Sequence, residues 1–314
     1  MYKKTGLGLG LITALICSPQ ALAKKGEKGY AGFNYSQIGM QSLTYTETLS
    51  DFAGIADLKS EFDVNNLVLT ASSYTHLFDN VGFLLSSQSN LVNDIAGDKW
   101  TVDGYGTVQT NDSKITPSDI QTSGIWHFNN GNYLLLGGQV KTLSFTRSNL
   151  APGEGADDLN TDIQVSDQYF DKTFKPQIVS FKGAIQEDLT YMNAIAGFGH
   201  HSLWGNNNSP FYYYYNATVS TPVYYIAQNT NLLEQFDVEE ITGSFNGFEV
   251  QANAGVGFEM IEGVALSFTV NYSMAAYDEI NTKVSLPDNE TATAAIPDVD
   301  LSGYQLTLGV TWIN

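Results

Sequence analysis

The chain has few cysteines, few basic residues and no long apolar run beyond its first residues. Cys17 is the only cysteine among 314 residues, so an exported form would have to be stabilised without disulfides. Beyond residue 23 no stretch of 18 consecutive apolar residues occurs, which argues against a transmembrane helix. The 14 Lys and Arg residues stand against 33 Asp and Glu residues. This balance argues against nucleic acid as a partner and against docking on anionic head groups through a basic patch.

The first 23 residues have the pattern of a secretory signal peptide. The segment begins with Lys3 and Lys4, continues with the apolar residues 6–16 and ends in Ala21-Leu22-Ala23, a small-residue cleavage site. We therefore predict a signal peptide at 1–23 and a mature chain at 24–314. The mature chain keeps 12 Lys and Arg against 33 Asp and Glu, a formal net charge of −21.

Alternation of apolar and polar residues is the main pattern of the mature chain. In residues 301–314, Tyr304, Leu306, Leu308 and Trp312 fall on one face, and polar residues or glycine fall on the other. A period of two residues is typical of a strand with one apolar face. Similar runs predict ten strands, at 30–41, 64–75, 81–90, 120–128, 133–145, 177–186, 191–201, 245–258, 264–277 and 301–314.

Short turns and long acidic loops are predicted to alternate between these strands. The turns lie at 77–80, 129–132, 187–190 and 259–263. The last strand carries Thr307, Gly309 and Trp312 in a polar-x-Gly-x-x-aromatic pattern, with Asn314 in place of a final aromatic residue. With the export signal and the repeated hairpins, the sequence resembles a bacterial outer-membrane β-barrel protein.

The resemblance implies an all-β, antiparallel, up-and-down transmembrane barrel of about ten strands. It would lie in the outer membrane, with both mature termini in the periplasm and the long loops outside. Residues 211–228 contain five consecutive aromatic residues, and we interpret them as an extended ribbon above the membrane; the alternative is an inserted hairpin and twelve strands. The expected partners are outer-membrane lipid and lipopolysaccharide, and the barrel assembly machinery during biogenesis. We expect a monomer without a cofactor.

The polar rows of the strands are expected to line the lumen. In the first strand this places Asn34 and Ser36 inside, and Lys182 and Glu249 are predicted to pair across the interior. Ten strands leave a narrow interior, so we predict a largely plugged, structural lumen; the alternative is a narrow passive pore for small solutes. The clearest lining residues are Lys141, Lys182, Glu249, Gln251, Asn253 and Asn271.

Exposed aromatic side chains on the loops are the candidates for binding a protein, a glycan or lipopolysaccharide, because Tyr and Trp are favoured contact residues. The alternative is that they pack on one another or lie at the membrane interface. The main prediction is therefore a structural or surface-binding protein. The candidates are Trp204, Tyr212, Tyr213, Tyr214, Tyr215, Tyr224 and Tyr225.

Two sequence patterns suggest enzymes. His200-His201-Ser202 resembles the His-x-Ser of outer-membrane phospholipase and lipid A deacylase, and it would place His200 and Ser202 at an outer rim as a lipid hydrolase. In those families an Asn follows the Ser, whereas Leu203 follows here. Omptin proteases are similar in size and strand count, but they need an Asp two residues before a His. No histidine of this chain has an acid at that position.

One acidic stretch has the spacing of a calcium loop. Asp158, Asn160 and Asp162 present oxygen ligands at every second residue. Ile163 occupies the position that requires glycine, and Tyr169 the position of the closing Glu, so the stretch is not an EF-hand. The alternative is a solvated acidic loop.

Overall fold

The computed structural model of the protein describes residues 30–128, 130–168, 175–205, 209–229, 240–285 and 291–314. The predicted signal peptide lies outside the described residues. Those residues form the strands β1 (Phe33–Phe52), β2 (Ala56–Phe78), β3 (Val81–Val92), β4 (Ala96–Val102), β5 (Gly106–Phe128), β6 (Asn132–Pro152), β7 (Phe181–His201), β8 (Phe211–Asn229), β9 (Ile241–Gly243), β10 (Gly247–Ile261), β11 (Val264–Tyr277), β12 (Ile280–Ser285), β13 (Thr291–Ile296) and β14 (Asp298–Ile313). They also include a helix, α1 (Ala156–Val165), and a short 3₁₀ turn at Ser202–Trp204.

The strands close into an antiparallel barrel. β1 pairs with β2 on one side and with β14 on the other, which completes the ring β1-β14-β11-β10-β8-β7-β6-β5-β3-β2. β4 pairs with the same two neighbours as β3, so β3 and β4 occupy one position of the ring at different heights. The predicted up-and-down barrel of about ten strands is confirmed.

The barrel has two different ends. At one end, which we call the short-turn end, the strands connect at 79–80 and 262–263, and Phe128 pairs directly with Asn132. Tyr30 and Asn314 also lie at this end, where the Asn314 backbone N–H donates to the Gly32 carbonyl. At the other end, the loop end, α1 lies between β6 and β7, and the hairpin β12–β13 lies between β11 and β14.

Two strands of the ring differ from the prediction. The two strands and the turn expected within 177–201 form one strand, β7, and the ribbon expected at 211–228 is the ring strand β8. The prediction places Glu187 in a turn, but the residue points into the barrel and is buried. The tyrosine run fits a strand because Tyr212 and Tyr214 face inward while Tyr213 and Tyr215 face outward, and the tyrosine ring suits either face. One predicted strand is lost and one is gained, so the ring still has ten strands.

Many stretches predicted as loops are extensions of strands. β2 begins at Ala56 rather than residue 64, and its first residues alternate with inverted faces: Leu58 and Phe62 are buried inside, whereas Lys59 and Glu61 are exposed outside. An outer polar row and an inner apolar row are expected where water surrounds the barrel. The barrel therefore continues at the loop end beyond its apolar belt. The helix α1 also differs from the prediction, which treats this stretch as an acidic loop with calcium-type spacing.

A belt of apolar side chains surrounds the short-turn half of the barrel. In β10 it runs from Phe248 to Phe258, 11 residues, which matches the length of a strand that crosses a bilayer core. The outward row predicted for the last strand is correct, since Tyr304, Leu306 and Leu308 are exposed. In β1 the predicted faces were reversed, as described below. Within the described residues no helix is long and apolar enough to cross a membrane.

The reversal in β1 comes from its buried aromatic residues. Phe33 is only 5% exposed and faces the interior, whereas Asn34 and Ser36 point outward with Ile38 and Met40. The prediction placed aromatic residues outside because lipid favours them there. In the structure they fill the short-turn end of the barrel from within.

Candidate functional site

The interior of the barrel is the candidate site, and it is organised in layers along the barrel axis. Inward residues of β1 show the sequence of layers: Phe33 is aromatic, Gln37 and Gln41 are polar, Tyr45 packs among apolar residues and Glu47 is charged. All are buried. The other strands supply the same classes of side chain at similar heights.

The first layer is the histidine–aromatic plug, which closes the short-turn end. Trp204 is its centre and lies 4.4 Å from Tyr74, 4.6 Å from His127 and 4.8 Å from His201 between ring centroids. The indole N–H of Trp204 donates to the Ala31 carbonyl at 2.9 Å. The plug comprises Tyr30, Phe33, Tyr74, His127, Tyr133, His201 and Trp204.

The second layer is a polar middle held by side-chain hydrogen bonds. Gln37 donates to Ser267 at 2.8 Å and accepts from Thr269 and Thr307, each at 2.9 Å. These bonds join β1, β11 and β14 inside the seam that closes the ring. Asn193 donates to Gln139 at 2.9 Å. A network of this kind stabilises one arrangement of the strands, since a buried amide left unpaired costs free energy.

A cavity of about 110 Å³ lies within the polar middle. This volume has room for a few water molecules, at roughly 30 Å³ each. Three of the predicted lumen residues, Gln251, Asn253 and Asn271, contribute to its walls, together with Asp119.

The charges of the polar middle meet at Lys141. Its Nζ lies 2.9 Å from Oε2 of Glu249, and it is the cross-strand partner of Asp119. Gln251 donates to the other oxygen of Glu249 at 2.9 Å. The predicted partner of Glu249 is Lys182; the structure instead places Lys182 as the second residue of β7, at the loop end, with its side chain exposed. The error follows from splitting β7 at Glu187.

The third layer, the apolar layer, closes the barrel above the polar middle. Tyr45 packs against Phe62 and Phe145 with ring centroids 5.0 Å and 4.8 Å apart, and Tyr191 stacks on Tyr277 at 4.1 Å. All ring strands except β3 and β10 contribute, and the first residue of β12 and the last of β13 join them. The described members of the layer are Leu43, Tyr45, Phe62, Val64, Ile115, Leu143, Phe145, Leu189, Tyr191, Tyr225, Ala227, Ile241, Ala275, Tyr277, Ile280, Ile296, Val299 and Leu301.

The fourth layer, the arginine cluster, surrounds the only arginine of the chain. Arg147 forms an ion pair with Glu47, lies 4.0 Å from Asp98 and is covered by the Trp100 ring at 5.3 Å. Asp98 accepts from Ser60, Asn111 and Ser113 at 2.6–3.0 Å. Glu187 also faces this cluster and accepts from Asn229 at 3.0 Å. Three buried carboxylates thus share one cation.

The fifth layer is the helix cap formed by α1. Ala156, Leu159 and Ile163 are buried on α1 and pack with Leu58, Trp100, Val102 and Val108 from the inner faces of β2, β4 and β5. The helix begins without a side-chain cap, and two acidic residues in its first turn favour the positive end of its dipole. The apolar side of α1 therefore covers the arginine cluster from the loop end.

The predicted calcium spacing belongs to this helix, which corrects the prediction of a loop. Asn160 is used structurally, because its side chain exchanges two hydrogen bonds of 2.8 Å with the Ile178 backbone. Asp162 accepts from the Tyr105 hydroxyl at 2.6 Å, and this hydrogen bond raises the pKa of Tyr105. Asp158 lies beside them at the surface. Within the described residues no group of three metal-binding side chains is suited to hold a metal ion.

The predicted His–Ser pair lies at the short-turn end and not at a rim near the loops. His200 faces outward between Tyr213 and Tyr215, with its Nδ1 3.1 Å from Asn132. Ser202 is buried, and its hydroxyl accepts the Tyr213 backbone N–H at 2.9 Å. Each side chain thus makes a structural contact, and among the described residues no carboxylate forms an ion pair with His200.

The aromatic residues predicted to lie on loops belong to the barrel. Trp204 is in the plug, Tyr212 and Tyr214 face the polar middle, and Tyr225 joins the apolar layer. Tyr213, Tyr215 and Tyr224 belong to the outer belt, being 51%, 45% and 38% exposed. The alternative stated above, packing and interfacial placement, describes them better than exposure on a loop.

The chain matches no protein-family model and no curated protein sequence. It is similar in structure to outer membrane protease OmpT from Escherichia coli, with a TM-score of 0.63 and 10% identity, covering 90% of this chain and 97% of that chain. The chain has the fold of an outer-membrane β-barrel. Outer membrane protein OprG from Pseudomonas aeruginosa gives a TM-score of 0.35 at 10% identity, covering 92% and 99%. A Pseudomonas aeruginosa FadL homologue gives 0.33 at 10%, covering 90% of each chain.

The likeness to a protease concerns the fold of this barrel and not its chemistry. The Asp-x-His pattern that the omptin resemblance requires is absent from the sequence. All four histidines, His76, His127, His200 and His201, lie at the short-turn end. The acidic groups of the arginine cluster lie near the loop end, separated from them by the polar middle and the apolar layer.

Sequence reasoning missed the arginine cluster and the plug. A signal existed for each. Arg147 is the only arginine of the chain, and a lone arginine at an inward position of a strand needs buried carboxylates as partners. His127 follows the outward Trp126 by one position, and His201 follows the outward Phe198 by three, so alternation places both histidines on the inner face.

Proposed function

We propose that residues 24–314 form a monomeric bacterial outer-membrane barrel with a plugged lumen, whose role is structural or surface-binding through its loop end. The observation that carries the proposal is the closure of the interior at two heights. The histidine–aromatic plug lies below the cavity, and the apolar layer lies above it. A continuous aqueous path would have to cross both layers.

The orientation proposed is short turns in the periplasm and the loop end outside. The apolar belt supports insertion because it covers one half of the barrel, while the other half exposes polar outer rows. Short periplasmic turns and larger outer connections are the usual arrangement of such barrels. The proposed partners within the membrane are lipid and lipopolysaccharide, with the assembly machinery acting during biogenesis.

The loop end supports a surface role because it continues as a rigid barrel beyond the belt. Outward side chains there include Asp57, Glu61, Asp63, Asp103 and Asp300, all exposed. Acidic side chains on an extended, covered barrel give a hydrated surface that is held firmly above the lipid.

Single-channel recording tests the plugged lumen. The refolded mature chain would be added to a planar bilayer, and its insertion confirmed by heat-modifiable migration on a gel. We expect no conductance steps at neutral pH. Discrete steps from correctly inserted protein would contradict the proposal and favour the narrow pore, with Lys141, Asp119 and Glu249 as the charges that set its ion selectivity.

A further inference from the structure

The plug contains two buried imidazoles whose hydrogen bonds suit only the neutral ring. Nδ1 of His201 accepts the Leu203 backbone N–H at 3.3 Å, so it carries no proton. Nε2 of His127 is hydrogen-bonded to the Tyr74 hydroxyl, while its buried Nδ1 has no hydrogen-bond partner. A proton added at Nδ1 of His201 would turn this acceptor into a donor. It would then face the Leu203 N–H, which is also a donor. A proton added at Nδ1 of His127 would meet no acceptor.

Nothing charged faces either ring from the described elements around it. Around His127 lie Tyr30 from the N-terminal segment, Tyr74 and His76 from β2, and Trp204. Around His201 lie Phe33, Trp204, Tyr212 and Tyr214, with His200 and His127 nearby. No described histidine forms an ion pair with a carboxylate. Each imidazolium would therefore be a buried charge without a counter-ion.

A closed plug with protonated histidines is unfavourable in free energy. Trp204 touches both rings, and a cation beside an aromatic ring gains a weak attraction. A buried charge without a partner costs more free energy than this attraction returns, and two such charges near one another also repel. Water entering the plug removes most of this cost.

We propose that the plug is an acid-sensitive closure, in which proton uptake by His127 and His201 loosens the packing around Trp204 and opens the cavity to the short-turn end. The apolar layer contains no histidine and stays closed. Acid would thus expose the cavity from one side only, without creating a path through the barrel. Conductance therefore tests whether the lumen is plugged, whereas opening of the plug needs a different measurement.

Acrylamide quenching of Trp204 measures the opening directly. Trp100, Trp126 and Trp312 would be replaced by Phe, so that Trp204, which is 8% exposed, is the only indole. We expect the quenching constant of the refolded mature chain to be several-fold higher at pH 4.5 than at pH 7.5. Heat-modifiable migration should persist, which shows that the barrel itself stays folded. Single-channel recordings should stay silent at both pH values.

Matched variants assign the response. His127→Gln/His201→Gln should remove the pH dependence, whereas His200→Gln should keep it, because His200 stacks outside the barrel. If the double variant does not refold, each single variant is titrated, and each should show a smaller rise. A constant quenching value across this pH range in the single-tryptophan protein that keeps all its histidines would overturn the proposal. So would an unchanged response in the double variant.

Discussion

Lys141 on β6 and Glu249 on β10 meet across the interior, with 2.9 Å between Nζ and Oε2. β7 and β8 lie between these strands in the ring, so the ion pair spans the lumen and does not join neighbouring strands. Both side chains are nearly buried, at 11% and 3% exposure. A contact of this kind constrains the cross-section of the barrel, because it holds two separate parts of the wall, three strands apart, at one distance.

Lys141→Met is expected to destabilise the barrel strongly. It leaves Glu249 and Asp119 without a cation, and breaking a buried pair in this way costs about 3–5 kcal/mol. Urea unfolding of the refolded protein in detergent, followed by tryptophan emission, measures the change in free energy. Lys182→Met, which alters an exposed lysine, should stay within about 0.5 kcal/mol of wild type. The double variant Lys141→Met/Glu249→Gln should recover part of the lost free energy of unfolding. An unchanged urea midpoint for Lys141→Met would contradict a stabilising role of the ion pair.

Arg147→Met should be destabilising and should make stability fall more steeply as pH rises. Burial already raises the pKa of Glu47 to about 7 in the native cluster, and loss of the guanidinium raises it further. Without the guanidinium, Glu47, Asp98 and Glu187 are buried together as anions, so the folded variant takes up protons more readily than the unfolded chain. Stability then falls as pH rises, because the folded state binds more protons. Relative to wild type, the loss in free energy of unfolding should be smaller at pH 5 than at pH 8. Urea midpoints at the two pH values measure it.

The control for this variant is Arg147→Lys. It keeps the positive charge but loses the planar fork that contacts Glu47 and Asp98 at once, so an intermediate loss without the pH effect is expected. Equal losses at both pH values for Arg147→Met would show that packing against Trp100, and not charge, is the main contribution.

Sequence alternation predicted the barrel, the outer row of the last strand and the strand β11 with its exact bounds, because one face of those segments is uniformly apolar. The prediction from alternation is wrong where the polarity of the outer and inner rows changes along a strand. Leu58 to Val64 alternate as clearly as Leu306 to Trp312, but with the apolar row inside. Their acidic neighbours therefore suggested a loop. The partners of a buried charge depend on the register of several strands, so Lys141 could not be paired with Glu249 from spacing alone.

Gly309→Ala is expected to weaken the seam that closes the ring. A Cβ at this position would overlap the carbonyl oxygen of Ser36 on β1, a backbone atom that has no room to move within the ladder. This gives a physical reason for the glycine in the C-terminal pattern with Thr307 and Trp312. The temperature at which the compact gel band disappears should fall clearly. Gly138→Ala is the matched control, since its Cβ would meet only an ordinary contact at 3.5 Å, and it should behave as wild type.

Leu159→Ala tests whether the helix cap opens independently of the barrel. Leu159 is completely buried between α1 and the inner faces of β2, β4 and β5, and such a truncation costs about 2–5 kcal/mol. If this cost is confined to the cap, glutamyl endopeptidase should cleave several-fold faster after Glu154, an exposed residue two positions before the helix. The compact gel band should keep its melting temperature. Val165→Ala alters an exposed residue of the same helix, 67% exposed, and should leave the cleavage rate unchanged. A lower melting temperature for Leu159→Ala without faster cleavage would mean that α1 and the barrel unfold together. The arginine cluster would then be part of one cooperative core and not a compartment that the loop end can uncover.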